Sequence, residues 1–431
     1  MRFRGGAVAI LTGVSLASCT GAKTDEPCAA AQSSGVTAER TKAQCLAEPA
    51  LPRPTTGAVA QHDVILYLDR SASMQGFLDP EYPTRIKTDF RSVLDAVIAG
   101  LRPREVHSYG SSVTMASSSI GVLGNKAFYQ DRDTKMEEVI ALIRNDTGEA
   151  SSHLIIGDGR RGSPATADDQ YVRLRDAAAK WVDRGGSFLV ASSNAPFKTV
   201  ESDPSGCRKP TGGADAGQTC PIYLFAFIPK DDALRIAGAV TDVFEHLYMW
   251  PALGVPPRTV VLRATQGIGK LNVNGIWGRA SDGSPIIRTS ARERTVTPNP
   301  FIVDVDSDAV QGKTYKHMLE GQETGIALYS RALNGDRKQP WQPMTGGGLT
   351  RAVLSAPRTV ELASLGDGEA NSLVRIDIVP TGQPSWLPLV EATDAKDVVR
   401  TYGIGRLFEM FRQGAKQAPP TPIARVYLVS N

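Results

Sequence analysis

The sequence predicts an α/β chain: a doubly wound, mostly parallel sheet followed by a smaller β-rich unit that closes with a helix and a strand. Three observations carry this. Between residues 62 and 250, short apolar runs alternate with longer amphipathic stretches, as when strands buried on both faces are linked by helices. Two of those runs stop on a carboxylate, at Asp69 and Asp158, where the strand ends of such a sheet place their sites. Beyond Pro256 the texture changes to short alternating segments broken by Gly, Pro and Asn, a sandwich or barrel pattern.

The first residues stand outside this pattern. "MRFRGGAVAILTGVSLASC" has a basic start, an apolar run and small residues before a cysteine, so residues 1–18 read as a secretory signal peptide. The run is too short for a membrane span. Leu16-Ala17-Ser18-Cys19 resembles the lipobox of bacterial lipoproteins. That resemblance implies lipidation of Cys19, a cell-envelope location and attachment to the membrane through the lipid anchor alone. Thr20 in place of Asp implies, by the same resemblance, the outer membrane.

Cysteine usage agrees with an oxidising compartment. The 431 residues contain 5 Cys, and lipidation of Cys19 leaves an even set. Short loop closure favours local pairs, Cys28 with Cys45 and Cys207 with Cys220, although four cysteines allow three connectivities. The formal charge is +3 and falls to about +1 once Arg2 and Arg4 leave with the leader. A near-neutral chain without a basic stripe argues against nucleic acid as a partner. Residues 19–61, rich in Ala, Thr, Pro and charge, read as a tether that spans on the order of 35 Å if flexible.

From His62 the elements follow one another. "DVILYLD" is a buried strand, and "TDFRSVLDAVIAGL" sets Phe90, Val93, Leu94, Val97 and Leu101 on one helical stripe. "EVHSYGSSVTMASS" supplies shorter strands. "DTKMEEVIALIRND" is a helix capped by Asp133 or Thr134, "SHLIIGDG" a strand ending on aspartate, and "YVRLRDAAAKWVDRG" a helix closed by Gly185. "GSFLVASS" and "PIYLFAFIP" are strands, and "DDALRIAGAVTDVFEHL" is a long helix. No helical pattern lies between those two strands, so the direction and order of the last strands stay open.

The turn after the first strand, D-R-S-A-S-M from Asp69 to Met74, resembles the D-x-S-x-S motif of von Willebrand factor type A domains. Thr134, on a loop opening a later helix, and Asp158, at the end of a central strand, stand where that family has its further ligands. The resemblance covers about Asp63 to Leu247. It implies a metal-ion-dependent adhesion site of Asp69, Ser71, Ser73, Thr134 and Asp158 holding Mg²⁺ (or Mn²⁺). A hard ion wants oxygen ligands and keeps some waters. Neutral hydroxyls from Ser71, Ser73 and Thr134 would bind it directly, while Asp69 and Asp158 hold metal-bound water. Few anionic ligands leave the ion electron-poor, and the family accordingly takes an acidic side chain of a protein partner. Gln75 and Gly76 follow Met74 where some members carry an acidic pair, so no adjacent second metal is expected.

Competing chemistries lack their residues. "GDGRRG" fits G-x-G-x-x-G, yet Asp158 would face a pyrophosphate and Pro164 delays the next helix. There is no G-x-S-x-G, H-E-x-x-H or P-loop, and the five histidines lack ligand spacing. Arg70-Ser71 breaks the D-x-D of aspartyl phosphatases.

Residues 256–431 offer the strands "RTVVLRATQ", "KLNVNGIWG", "PIIRTS", "NPFIVDVD", "GIALYSRAL", "RTVELASL", "SLVRIDIVP" and a closing "ARVYLVSN". "YGIGRLFEMFRQG" aligns Ile404, Leu407, Phe408 and Phe411 on one stripe, which reads as core. This unit would serve as a second recognition surface or a spacer. The expectation is a cell-envelope lipoprotein, not an enzyme, that binds a protein partner through its metal in adhesion or complex assembly. The alternatives are a metal-dependent envelope hydrolase and an architectural envelope protein with a vestigial site.

Overall fold

The computed structural model describes residues 36–47, 61–78, 89–146, 151–159, 164–198, 219–264, 277–289, 301–334, 339–344, 352–354, 359–362, 372–392, 401–417 and 421–430. The signal peptide, Cys19, Cys28, Cys207 and most of "KLNVNGIWG" lie outside them. Two sheet systems face each other across shared apolar cores.

The first is a seven-stranded sheet of β1 (Asp63–Asp69), β2 (Glu105–Tyr109), β3 (Val113–Met115), β4 (Ser151–Gly157), β5 (Ser187–Pro196), β6 (Thr219–Ile228) and β7 (His246–Trp250), in the order β3-β2-β1-β4-β6-β5-β7. β2, β1 and β4 run parallel, while β3, β6 and β7 are antiparallel to their neighbours. The sheet is therefore mixed around a parallel centre. A parallel neighbour for β4 would need a long crossover. With no helical pattern after β5, β6 instead inserts antiparallel between β4 and β5.

Helices cover this sheet. α1 (Val36–Leu46) precedes it; α2 (Phe90–Asp95) is capped by Asp89, whose carboxylate accepts from the Ser92 N–H at 2.8 Å, and runs into a π-helical turn, Ala96–Gly100. α3 (Ile120–Leu123), α4 (Met136–Asn145), α5 (Pro164–Asp183) and α6 (Ala233–Val240) follow. Three expectations change here. α4 starts at Met136, past Asp133 and Thr134, so neither caps it. α5 opens at Pro164 itself, where a missing N–H goes unmissed in the first turn, and Gly185 (φ 96°) follows its end as expected. The long helix after Asp231 stops at Val240, and Thr241 closes it with its N–H and hydroxyl both on the Ala237 carbonyl before the chain turns. Leu247 and Met249 then face one core and Tyr248 the other, a period-two pattern that makes His246–Trp250 a strand on β5.

Among the described residues the second system has two larger sheets, beside a two-stranded one that pairs Glu391–Ala392 with Thr401–Tyr402. One runs from edge to edge through Gln342–Pro343, Gln322–Ala332, Ser372–Pro384, Ala424–Ser430, Pro285–Thr289 and Gly278–Arg279. The other orders Ala352–Leu354, Thr359–Leu362, Phe301–Val305 and Val260–Ala264. α7 (Gly312–Glu320), which the sequence pattern did not suggest, α8 (Leu387–Val390) and α9 (Glu409–Gln417) complete it.

The two systems do not bury their apolar faces separately. Leu66, Leu68 and Leu154 share one core with Val303, Val374 and Val426. On the other face, Ile65, Tyr67 and Phe188 share a core with Trp386, Phe408 and Phe411. Ile404, Leu407, Phe408 and Phe411 are all buried, so the C-terminal stripe is core, stacked on α5 and the β5–β7 half of the sheet. α1 departs from the tether expected over residues 19–61. Ala43, Leu46 and Ala47, spaced three and four apart, bury one side of it against Ala280, Ile286, Leu373 and Val429. Among the described residues no helix is long and apolar enough to cross a membrane.

Candidate metal centre

Parallel pairing of β1 with β4 brings two carboxylates together. The register Leu68 opposite Ile156 sets Asp69 beside Gly157, with Asp158 one residue further. Both aspartates are buried, each at 1% exposure. The close approach depends on Gly157: a Cβ there would lie 2.7 Å from the Tyr109 hydroxyl and 3.0 Å from the Asp69 Cβ. Burial first, and then the charge of Asp158, push the Asp69 carboxyl well above the usual carboxylate range; the Ser71 N–H, 2.8 Å from Oδ1, opposes them.

The turn after β1 wraps back over these carboxylates. Ser71 precedes a 3-10 helix, Ala72–Phe77, and its hydroxyl lies 3.0 Å from that of Ser73. Met74 and Phe77 anchor the helix in the core. Its outer rim is tied down by the Gln75 amide, which donates to the Tyr129 carbonyl, and by the Lys198 N–H donating to the Gly76 carbonyl at 2.8 Å.

Asp131 organises the turn, and the sequence reading did not single it out. Its backbone pairs with the turn: the Ala72 N–H donates to the Asp131 carbonyl at 2.8 Å, and the Asp131 N–H to the Arg70 carbonyl at 3.3 Å. Its carboxylate accepts Arg70 Nε at 2.8 Å, Arg70 Nη2 at 3.1 Å and the Ser111 N–H at 2.9 Å. Burial pushes this carboxyl up, but those bonds outweigh it and leave it below its ordinary value. Gly110 makes room, since a Cβ there would sit 2.0 Å from Asp131 Oδ2. The only sequence trace of this role is the acidic Asp131-Arg132-Asp133 ahead of α4.

Thr134 is half-buried two residues before α4, on the same loop, which the Lys135 N–H fixes by donating to the Gly110 carbonyl at 2.9 Å. The structure thus joins Asp69, Ser71, Ser73 and Asp158 at one strand-end site and brings the Thr134 loop alongside through Asp131. No hydrogen bond links Thr134 to Ser71 or Ser73 among the described residues. Cys45 and Cys220 are both disulfide-bonded.

Among the described residues no three His, Cys, Asp or Glu side chains group as a metal cluster. The donors here are of a different kind: two hydroxyls 3.0 Å apart, one of them on the residue hydrogen-bonded to Asp69, and two buried carboxylates at adjoining strand ends. That set suits a hard cation, which takes neutral oxygens directly, and whose charge would offset the repulsion between Asp69 and Asp158. Comparison with protein-family models, with curated proteins and with solved structures found no match to this chain.

Proposed function

We propose that this chain is a cell-envelope lipoprotein, lipid-anchored at Cys19 in the outer membrane, that binds a protein partner through a divalent ion at the D-R-S-A-S-M turn of a von Willebrand factor type A domain. The observation that carries this reading is the burial of Asp69 and Asp158 at neighbouring strand ends, with Ser71 hydrogen-bonded to Asp69 and its hydroxyl 3.0 Å from that of Ser73. Two like charges in one dry site are costly unless a cation or a proton joins them.

Ser71 and Ser73 would hold Mg²⁺ or Mn²⁺, with Asp69 and Asp158 orienting its waters. The bound ion would supply a Lewis-acidic position for a partner's Glu or Asp. The chain's own residues do the rest. Arg70 and Asp131 fix the turn, Gly157 lets the strands close beneath it, and the Thr134 loop borders the opening.

Calorimetry with Mg²⁺ and Mn²⁺ tests this. Wild type should bind one of them, and Asp69→Ala should bind about 10- to 100-fold more weakly. Capture of a partner from envelope extract should be lost with chelator, and Cys19→Ala should lose both lipid label and membrane partition. If wild type binds neither ion at millimolar concentration, the site is vestigial and the architectural alternative replaces this proposal.

A further inference from the structure

The amino edge of the main sheet, opposite the D-R-S-A-S-M turn, gathers charge of the other sign. α4 leads into β4 and α5 into β5, and these strands point the same way, so both helices end at this edge. Between their last turns lies a concavity of about 370 Å³ lined by Arg144, Asn145, Lys180 and Arg184, with Ala177 and Trp181 as its apolar wall. Trp181 is held in place, its indole N–H donating to the Ile228 carbonyl at 3.0 Å.

Among the described residues no acid lines this concavity, and none of the three cations forms an ion pair. Asp146 lies next door, in an adjoining concavity of about 360 Å³, and its Oδ2 is engaged by His153 Nε2 at 2.8 Å. Asp183 is exposed and is not among the lining residues. Helix ends favour cations in any protein, but each carries only about half a negative charge. Two ends offset about one of the three positive charges, and among the described residues the nearest lining acids are Asp146 and Asp231 of the adjoining concavity, which Arg184 also lines.

We propose that this concavity binds a phosphate-bearing ligand, with its phosphate between Arg144, Lys180 and Arg184 and a small organic body against Trp181 and Ala177. Guanidinium groups match phosphate oxygens in pairs, and the Asn145 amide adds a neutral donor. The volume is that of a small-molecule site. A soluble phosphate ester and an anionic phospholipid headgroup share this chemistry. His62, where the chain enters β1, lines the adjoining concavity, so either source would meet the protein on its N-terminal side. The site is independent of the metal centre.

The full chain tests it. Inorganic phosphate and glycerol 3-phosphate are titrated calorimetrically, and co-sedimentation is measured with phosphatidylcholine vesicles with and without phosphatidylglycerol. Saturable binding in either arm is expected, the soluble arm identifying a free ester and the vesicle arm a headgroup. Arg144→Ala with Arg184→Ala should weaken it about tenfold or more, and Lys180→Gln should weaken it less. Lys416→Ala, at an exposed position of α9, should leave it unchanged. All three substituted cations of the concavity are exposed, so melting should not move. No binding in either arm, full binding by the double variant, or equal loss in Lys416→Ala overturns the proposal.

Discussion

The hydroxyls of Tyr223 and Thr401 lie 2.7 Å apart in the interior and join the C-terminal segment to the strand behind the candidate metal centre. Tyr223 sits opposite Gly157 in the β4–β6 register, and its ring abuts Gly159, the residue after Asp158. The unit beyond residue 256 therefore supports the loop that carries one of the two buried carboxylates, in addition to covering the sheet.

That covering can be measured. Phe411 is buried between Phe188, Tyr248 and Trp250. Phe411→Ala should cost about 3–5 kcal/mol, read as a lower urea midpoint at unchanged slope. A chain ending after Pro256 loses Ile404, Leu407, Phe408 and Phe411 together. At roughly 1.5–3 kcal/mol each this is comparable with the whole stability of a domain, so that fragment should not fold cooperatively. A sharp unfolding transition in the fragment would contradict the shared core.

Gly157→Ala should damage the metal centre before the fold. The added methyl meets the Tyr109 hydroxyl at 2.7 Å and Asp69 Oδ2 at 3.1 Å, so β1 and β4 must shift where the carboxylates meet. The expected loss is about 1–3 kcal/mol in urea unfolding. Metal affinity should fall by more than it does in Gly414→Ala, whose Cβ would meet nothing within 4 Å.

Arg70 and Asp131 should behave as one unit. Each single alanine variant loosens the turn, and a double-mutant cycle on metal affinity should give a coupling of about 1–3 kcal/mol, since the second substitution removes a contact already lost. Additive effects would mean that the pair acts outside the site.

Acid should weaken the fold through buried histidines. Burial holds the His153 pKa below its ordinary 6.5 despite the neighbouring Asp146, and burial lowers His246 and His317 likewise. Below pH 6.5 the unfolded chain takes up protons that the folded chain refuses, so stability present above that pH is lost as pH falls toward the folded values. The raised Asp69 carboxyl works the other way as pH falls, so the histidine share is read as the difference between wild type and His153→Gln, whose urea midpoint should lose less ground than wild type between pH 7.5 and 5.5. An unchanged slope in that variant would remove His153 from the account.

The chain alone made legible β1 and β4 as buried strands running out toward Asp69 and Asp158, and the Ile404–Phe411 stripe as core. Each is local: a continuous apolar run reads as a buried strand, and a stripe at helical spacing reads as a packed face. Only the tertiary structure decided the rest. "FEHLYMW" continues a helical pattern as readily as it forms a strand, and pairing with β5 settles it. α1 carries too short an apolar stripe to stand out, and gains its core from strands more than two hundred residues away. Asp131 is one acid among many until the turn after β1 folds back on it, because an ion pair between residues 61 apart leaves no periodic trace in the chain. What joins distant residues is packing and register, and neither is written in any one stretch.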